Sequence, residues 1–350
     1  MNPQFTGAYV NLGDVLLDKG EFSQAISTLN NALSSNPNNA KIHVNLALAY
    51  LVTGDFERGW REYEWRLRVP GIGGMRQFPQ PRWDGGDLQG KTILLHAEQG
   101  FGDMIQFARF IGQVAGRGGR VILESPAETL RLFRDFPGVW ELAERDKPLP
   151  HFDVQCPLMS LASVFGVTEQ TIPHEVPYLK ADPELARQWA GRFDAAGDRL
   201  RIGLAWAGSP LHSRDRSRSM KLEQFAPLAS VENAAFYSLQ MGQAAAQAGH
   251  PPSGLHLTDW TKDVRDFADS AAMVEHLDLL VTVDTSVAHL AAAMGKRVWL
   301  LLPRSPDWRW MLDRPDSPWY PTMRLFRQTT RDDWAEVLRR VAAAIRKLEE

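Results

Sequence analysis

The sequence predicts an α/β protein whose two similar domains follow a short all-α segment. Three observations support this fold class: an internal repeat with a period of 34 residues near the start, a run of alternating strands and helices from Lys91, and a second such run from Arg201. Such alternation is typical of a parallel sheet with helices on its faces. In chain order, we expect helical repeats at residues 1–68, a connecting segment at 69–90, a first α/β domain at 91–180, a linker at 181–199, and a second α/β domain with a terminal helix at 200–350.

The composition is that of a folded protein with no general affinity for nucleic acid. Of the 350 residues, 44% are hydrophobic and 10% are aromatic, which suits a chain that buries a core. The formal net charge of −3 lacks the basic excess of a nucleic-acid or membrane-surface binder. Any anion that the protein binds must therefore be held by a local site.

Cysteine usage and the opening residues predict a cytoplasmic protein. Cys156 is the single cysteine, which excludes an intramolecular disulfide and fits a reducing compartment. The first residues lack a basic segment followed by an apolar core, and the sequence has no run of about 18 apolar residues. We therefore expect no membrane insertion.

The repeat near the start has the period of a tetratricopeptide repeat. With a shift of 34 residues, identical residue types coincide at Asn11 and Asn45, Leu12 and Leu46, Gly20 and Gly54, and Phe22 and Phe56. The second unit ends in aromatic and basic residues at 59–68. Because two repeats rarely stand alone, we expect this last helix to pack on the part of the chain that follows.

Apolar runs and turn residues place the elements after the connecting segment, which is rich in Gly and Pro. The expected strands are Thr92–His96, Arg120–Glu124, Arg201–Trp206, Phe236–Leu239, Leu279–Val283 and Arg297–Leu302. The expected helices are Asp103–Ala115, Ala127–Phe133, a polar helical linker at Ala181–Arg199, and Asp333–Leu348 with one apolar face.

The segment Leu279–Gly295 carries the clearest functional signal. Its strand runs directly into a helix through Asp284, Thr285 and Ser286, and Gly295 ends that helix. A helix N-terminus at the carboxyl end of a parallel strand favours a phosphate group through its unpaired N–H groups and its dipole. The alternative is an ordinary strand–helix unit in which Asp284 or Thr285 only caps the helix.

A glycine loop follows the strand Thr92–His96 and contains Asp103. It is not a dinucleotide-binding fingerprint, because the third glycine is missing. Two interpretations of Asp103 stay open: it forms a capping box with Gln106, or it acts as a general base at the carboxyl end of the strand.

Three further features have both a structural and a functional interpretation. The loop Ala207–Lys221 has four basic residues and either is solvated or closes over a phosphate. His289 lies on the helix face opposite Val287 and Leu290, which favours a cleft over the core. The aromatic residues at 308–310 and 317–321 either stack on a sugar or base or pack inside the fold.

The sequence offers no evident metal site. It contains no short Asp-x-Asp motif and no His or Cys pair at metal-ligand spacing. We therefore expect no metal and no cofactor, so that amides, hydroxyls and arginines would hold any diphosphate.

These residues together resemble bacterial tetratricopeptide-repeat glycosyltransferase-like proteins. The catalytic part is similar to the lipopolysaccharide heptosyltransferases of glycosyltransferase family 9 and, more distantly, to protein O-GlcNAc transferases. The resemblance is carried by Gly102-Asp103, by the loop from Gly208-Ser209 to Arg218-Ser219, by Val283–Ala291, and by Pro306–Trp310 with Ser317–Tyr320. It implies a GT-B fold, in which two Rossmann-like domains face each other across a cleft.

The resemblance also implies roles for individual residues. Asp103 corresponds to the catalytic base. The donor-binding residues would be Ser209, Arg218, Gln240, Asp284, Thr285, Ser286 and His289, and the acceptor or cleft candidates would be Gly102, Trp308 and Arg309. Unlike the protein O-GlcNAc transferases, the chain has only two repeats, so it lacks a long repeat groove for protein substrates.

The function that follows is transfer of a sugar from a nucleotide-diphosphate donor, without a metal and with inversion, to a hydroxyl of a glycan or protein acceptor that the repeats help to contact. The alternative from another class is a non-catalytic, repeat-bearing interaction protein whose GT-B part is degenerate or senses a nucleotide. A third interpretation is a nucleotide-sugar epimerase-like enzyme of GT-B shape.

Overall fold

The N-terminal segment forms two helix pairs, as the repeat predicts. The computed structural model describes residues 6–72 and 76–348. The four repeat helices are α1 (Thr6–Lys19), α2 (Phe22–Ser35), α3 (Ala40–Val52) and α4 (Phe56–Tyr63). Small residues allow the pairs to pack closely: a Cβ on Gly13 would lie 2.5 Å from Leu29 Cδ2. A 3-10 turn at Glu64–Arg68 continues α4.

The rest of the chain contains two fully parallel sheets. The first consists of β1 (Thr92–His96), β2 (Arg120–Ser125), β3 (Val139–Glu144) and β4 (Val154–Pro157), in the order β3-β2-β1-β4. The second consists of β5 (Leu200–Ala205), β6 (Ala234–Ser238), β7 (Leu257–Asp259), β8 (Leu279–Val283), β9 (Val298–Leu302) and β10 (Met323–Arg327), in the order β10-β9-β8-β5-β6-β7. The predicted fold class, a helical segment followed by parallel α/β structure, is confirmed.

Helices alternate with these strands. They are α5 (Phe101–Phe107), α6 (Ile111–Ala115), α7 (Ala127–Leu130), α8 (Leu161–Val164), α9 (Pro183–Ala190), α10 (Asp215–Arg218), α11 (Phe267–Glu275), α12 (Ser286–Ala293) and α13 (Trp334–Arg346). Further 3-10 turns lie at Ala108–Phe110, Leu158–Ser160, Glu169–Thr171, Gly191–Ala196, Leu222–Ser230, Gln243–Gly249, Thr261–Asp263 and Trp308–Trp310.

Three predicted helices differ from the observed ones. In the linker expected to be helical over Ala181–Arg199, the α-helix covers only Pro183–Ala190 and a 3-10 turn follows at Gly191–Ala196. The helix expected at Asp103–Ala115 begins two residues earlier, because Gly100 and not a later residue is its N-cap, and a 3-10 turn separates α5 from α6. The helix expected to reach Phe133 ends at Leu130. The chain turns there so that the rings of Phe133 and Phe136 pack together at 5.3 Å, and both are buried.

The chain forms two compact units that do not follow the sequence order strictly. The first unit comprises Met1–Pro126, Pro137–Pro173 and Ser305–Arg314, and the second comprises Ala127–Phe136, His174–Arg304 and Pro315–Glu350. In the second unit, α13 buries its apolar face in the core formed by β5, β6, β8 and β9, as predicted. Gly295, with φ +73°, ends α12 as expected.

Each sheet has one place where the strand order reverses. In the first sheet β1 lies between β2 and β4, and in the second β5 lies between β6 and β8. In open parallel sheets, ligands bind at the carboxyl ends of the strands that flank such a point. The loops that follow β1 and β4, and those that follow β5 and β8, are therefore the places to look for a site.

Among the residues that the structure describes, no helix has the length and apolar character needed to cross a membrane.

Candidate functional site

A short turn joins β8 to α12 in the second unit, and we call Asp284–Ser286 the Thr285 turn. Thr285, one of the two cap candidates weighed from the sequence, is the N-cap residue of α12, but its side chain makes no capping bond to the helix amides. Its hydroxyl lies 3.2 Å from the Thr282 hydroxyl instead. All three turn residues are partly exposed. The turn thus presents a helix N-terminus that its cap side chain does not cover, which suits an anion.

His289 lies behind this turn, buried with 5% of its surface exposed. Its Nδ1 is 2.9 Å from the Tyr320 hydroxyl, and its Nε2 is 4.0 Å from Asp284 Oδ1. The imidazole is therefore within hydrogen-bond distance of a fully buried tyrosine and lies beside the turn. The sequence favoured a cleft position, whereas the structure gives His289 a buried position with polar partners.

Arg218 lies on the loop that follows β5, the strand next to β8. The Gly208 amide donates to Ser219 Oγ over 2.9 Å, and Arg218 Nε lies 3.5 Å from Asp215 Oδ1. The guanidinium packs close to the Gly208 backbone, since a Cβ there would lie 2.6 Å from Arg218 Nη2. Since β5 and β8 are adjacent and parallel, their carboxyl ends share one sheet edge. A guanidinium and the Thr285 turn therefore belong to the same edge. Ser209 is exposed on this loop.

Gln240 is a structural support of the same loop. Its Oε1 accepts from the amides of Trp206 and Ala207 at 2.9 and 2.8 Å, and its Nε2 donates to the carbonyls of Ala207 and Met241 at 3.0 and 2.8 Å. The side chain is buried and its amide is saturated by backbone groups. The nucleoside contact suggested for Gln240 stays a prediction, and these bonds give the residue a positioning role.

In the first unit, the segment Ala97–Asp103, which we call the Asp103 turn, joins β1 to α5. Asp103 Oδ2 accepts from the Gly100 amide over 2.8 Å, and Oδ1 accepts from Arg309 Nη2. Arg309 also donates to Gln106 Oε1 at 2.5 Å and to Asp307 Oδ1 at 2.8 Å. The expected Asp103–Gln106 capping box is thus wrong in its register: Asp103 is the third residue of α5 and caps the Gly100 amide.

Arg309 is buried but remains charged. Burial on its own lowers the pKa of the guanidinium, but the carboxylates of Asp307 and Asp103 outweigh it and hold the pKa above its ordinary value. A buried cation with two carboxylate partners is locally compensated. Arg309 and Asp103 are therefore tied together as a pair.

The aromatic candidates at 308–310 are buried in the first unit. The Trp308 ring lies edge-on to Trp60 with centroids 5.2 Å apart, and the Arg309 guanidinium carbon is 4.3 Å from the Trp308 ring centre. Trp310 is fully buried, as are Trp319 and Tyr320 of the second unit. Of the two interpretations of these clusters, the structure favours packing inside the fold. Gly102 is partly buried within α5.

Two repeat residues that the sequence did not single out reach the Asp103 turn. Gln99 Nε2 donates to the Tyr63 hydroxyl over 3.1 Å, and Arg66 Nη2 donates to Glu98 Oε1 over 2.6 Å. Burial raises the pKa of Tyr63 to about 12, so its hydroxyl stays protonated. The aromatic and basic end of the second repeat predicted docking on the following domain, and these contacts confirm it, but nothing local identified the partners.

Within the residues described, no group of three or more His, Cys, Asp or Glu side chains is arranged to hold a metal ion. The candidate groups described above are the amides and hydroxyls of the Thr285 turn and Arg218 at the edge of the second sheet, and the paired carboxylate of Asp103 at the edge of the first.

Comparison with known proteins finds a matching family model and a curated relative. The TPR repeat family model matches residues 3–54. A curated relative, Protein FlbA of Caulobacter vibrioides, is 26% identical over 371 aligned positions. The alignment covers 98% of this chain and 62% of FlbA, so the chain spans about three fifths of the length of that relative.

Two solved structures share the fold of the α/β part. The glycosyltransferase family 9 protein from Veillonella parvula has a TM-score of 0.52 and 11% identity, over 76% of this chain and 92% of that one. The ADP-heptose lipopolysaccharide heptosyltransferase II of E. coli has a TM-score of 0.55 and 14% identity, over 73% and 98%. At these identities the likeness concerns the fold. The chain carries TPR repeats followed by the GT-B fold of family 9 glycosyltransferases.

Proposed function

We propose that the protein is an inverting glycosyltransferase that needs no metal and moves a sugar from a nucleotide-diphosphate donor to a hydroxyl of a glycan or protein acceptor. The observation that carries the proposal is the Thr285 turn, a helix N-terminus at the point where the order of the second sheet reverses. The family 9 fold of the α/β part supports it.

The donor diphosphate would bind at the edge of the second sheet. The amides at the start of α12 and the hydroxyls of Thr285 and Ser286 would contact its oxygens, and Arg218 would add a positive charge from the neighbouring strand end. As the bond between the anomeric carbon and the diphosphate breaks, negative charge grows on the leaving group. Donors fixed in advance at that position usually make the largest single contribution to catalysis.

Asp103 would act on the acceptor. Its carboxylate would take the proton of the acceptor hydroxyl while the oxygen bonds to the anomeric carbon and the nucleoside diphosphate leaves from the opposite side, so that the configuration inverts. The side chain is 20% exposed, which leaves it accessible although both oxygens have protein partners. Arg309, which donates to Asp103 Oδ1, would hold the carboxylate in position.

The test is release of nucleotide from a panel of ADP-, UDP- and GDP-sugars by wild type and Asp103→Asn. We expect Asp103→Asn to lower kcat by about 100-fold or more, because a positioned base contributes about that factor. Asp307→Asn is the matched control, since Asp307 is the other carboxylate on Arg309. Its effect on kcat should be much smaller. Full activity in Asp103→Asn would remove the base assignment.

A second candidate function rests on the two protein partners of Asp103, which a structural carboxylate would also have. In that case the protein binds a nucleotide and transfers nothing. The wild type would then bind a nucleotide with a measurable Kd but release no nucleotide from any of the donor sugars. Asp103→Asn would change neither result.

A further inference from the structure

The point of strand reversal in the first sheet is filled by a residue of the repeats. Glu98 follows β1 and Ser160 follows β4, and these two strands flank that point. Arg66 Nη2 donates to Glu98 Oε1 over 2.6 Å and to Ser160 Oγ over 2.7 Å. The place where an open parallel sheet ordinarily takes a ligand thus holds a guanidinium from the second repeat.

The pair is completely removed from water. The Arg66 side chain has no exposed surface and that of Glu98 has 2%. Nη1 of Arg66 donates to the Tyr63 carbonyl and to Glu64 Oε1, at 3.1 and 2.9 Å. Burial raises the pKa of Glu98 although Arg66 opposes it. A buried ion pair is a costly way to gain stability, which points to a role in fixing geometry.

Three repeat residues spaced by three act on the same neighbourhood. Arg66 holds Glu98, Tyr63 accepts from Gln99, and Trp60 packs against Trp308, beside the Arg309 that pairs with Asp103. The residue after Gln99, Gly100, gives its amide to Asp103. Each residue from 98 to 100 is therefore fixed either by the repeat or by Asp103.

We propose that Arg66 is a positioning residue for the transfer reaction: by bridging Glu98 and Ser160, it fixes the Asp103 turn in the geometry that the base requires. This inference rests on the proposed function. It makes the second repeat part of the acceptor half of the enzyme. A misplacement of the base by about 1 Å is expected to cost up to about 100-fold in rate, while donor binding in the second unit is unaffected.

The test uses the double variant Arg66→Met/Glu98→Met in the full chain, because removing both charges avoids an uncompensated buried ion. We expect it to fold, to bind ADP, UDP or GDP with a Kd within about two-fold of wild type, and to lose about ten- to 100-fold in the kcat of nucleotide release. Arg66→Lys keeps the positive charge but lacks the planar guanidinium that reaches both Glu98 and Ser160. Its kcat should therefore lie between those of the wild type and the double variant.

Arg82→Met is the matched control, since Arg82 belongs to the same network through Glu64 but is 39% exposed. It should leave kcat unchanged. Hydrogen exchange of the peptide covering residues 97–107 gives a readout that does not depend on activity, and we expect faster exchange in the double variant only. Wild-type exchange and wild-type kcat in a folded double variant would overturn the inference. Absence of nucleotide release from the wild type would instead overturn the proposed function, with the exchange result still deciding whether Arg66 fixes the turn.

Discussion

The Asp103 turn and the Thr285 turn occupy equivalent places in their sheets but differ in the contacts of their polar groups. Both join a buried parallel strand to a helix next to the point where the strand order of a sheet reverses. In the Asp103 turn, protein groups take the polar positions: Asp103 caps Gly100 and pairs with Arg309. In the Thr285 turn, the side chain of the N-cap residue Thr285 makes no hydrogen bond to the first amides of α12.

This difference bears on the proposed function, because the two turns share a geometry but not their polar contacts. We propose that such a turn binds an anion where its cap side chain leaves the helix amides uncovered and a cation lies at the same sheet edge. In the second unit the proposed cation is Arg218, whose Nε has a long 3.5 Å ion pair with Asp215. In the first unit the cations Arg66 and Arg309 form close ion pairs with Glu98 and Asp103, which is consistent with the proposed acceptor role and not with a phosphate site.

The largest effect should come from breaking the buried pair of the Asp103 turn. Arg309→Met leaves the Asp103 and Asp307 carboxylates without their cation and Gln106 Oε1 without the hydrogen bond from Arg309 Nε. Removing one partner of a buried ion pair costs about 3–5 kcal/mol, and we expect a loss of that size in the free energy of unfolding, measured with urea. Arg331→Met is the control, because Arg331 is 63% exposed and its nearest carboxylate oxygen is 3.8 Å away. If Arg309→Met unfolds like wild type, the pair does not hold the turn.

A smaller effect should follow from pH, through the histidine that ends β1. Burial lowers the pKa of His96 from 6.5 to about 4. Between these pH values the unfolded chain binds more protons than the folded one, so the free energy of unfolding falls as the pH drops from 6.5 to 4, by about 3 kcal/mol in all. His96→Gln should reduce this dependence, whereas the same change at the exposed His256 should not. Equal pH profiles of unfolding for wild type and His96→Gln would contradict a buried neutral imidazole.

The sequence predicted strands and helix ends correctly where a few neighbouring residues determine them. The six expected strands are present within two residues of their predicted bounds, because continuous apolar runs specify buried parallel strands. Gly295 ends α12 because glycine adopts its positive φ without strain. The repeat period also predicted the four N-terminal helices.

The contacts that define the Asp103 turn were beyond the sequence, because they join residues far apart in the chain. Asp103 and Arg309 are 206 positions apart, and Arg66 and Glu98 are 32 apart. A capping interpretation of Asp103 with Gln106 was reasonable from spacing alone. It failed because the N-cap residue of α5 is Gly100, three positions before Asp103, so that the Asp103 carboxylate reaches back to the Gly100 amide.

The most direct test of the account is titration calorimetry of ADP, UDP and GDP into wild type, Ser286→Pro and Ser286→Ala. Ser286 is the first residue of α12, where proline is tolerated but its N–H is lost, and Thr285 before it is already extended. We expect at least one nucleotide to bind the wild type, with a Kd about ten-fold weaker in Ser286→Pro and changed less in Ser286→Ala, because one charge-assisted amide contact contributes about 1.5 kcal/mol. Binding of no nucleotide, or equal binding by wild type and Ser286→Pro, would contradict the assignment of the Thr285 turn as the diphosphate site.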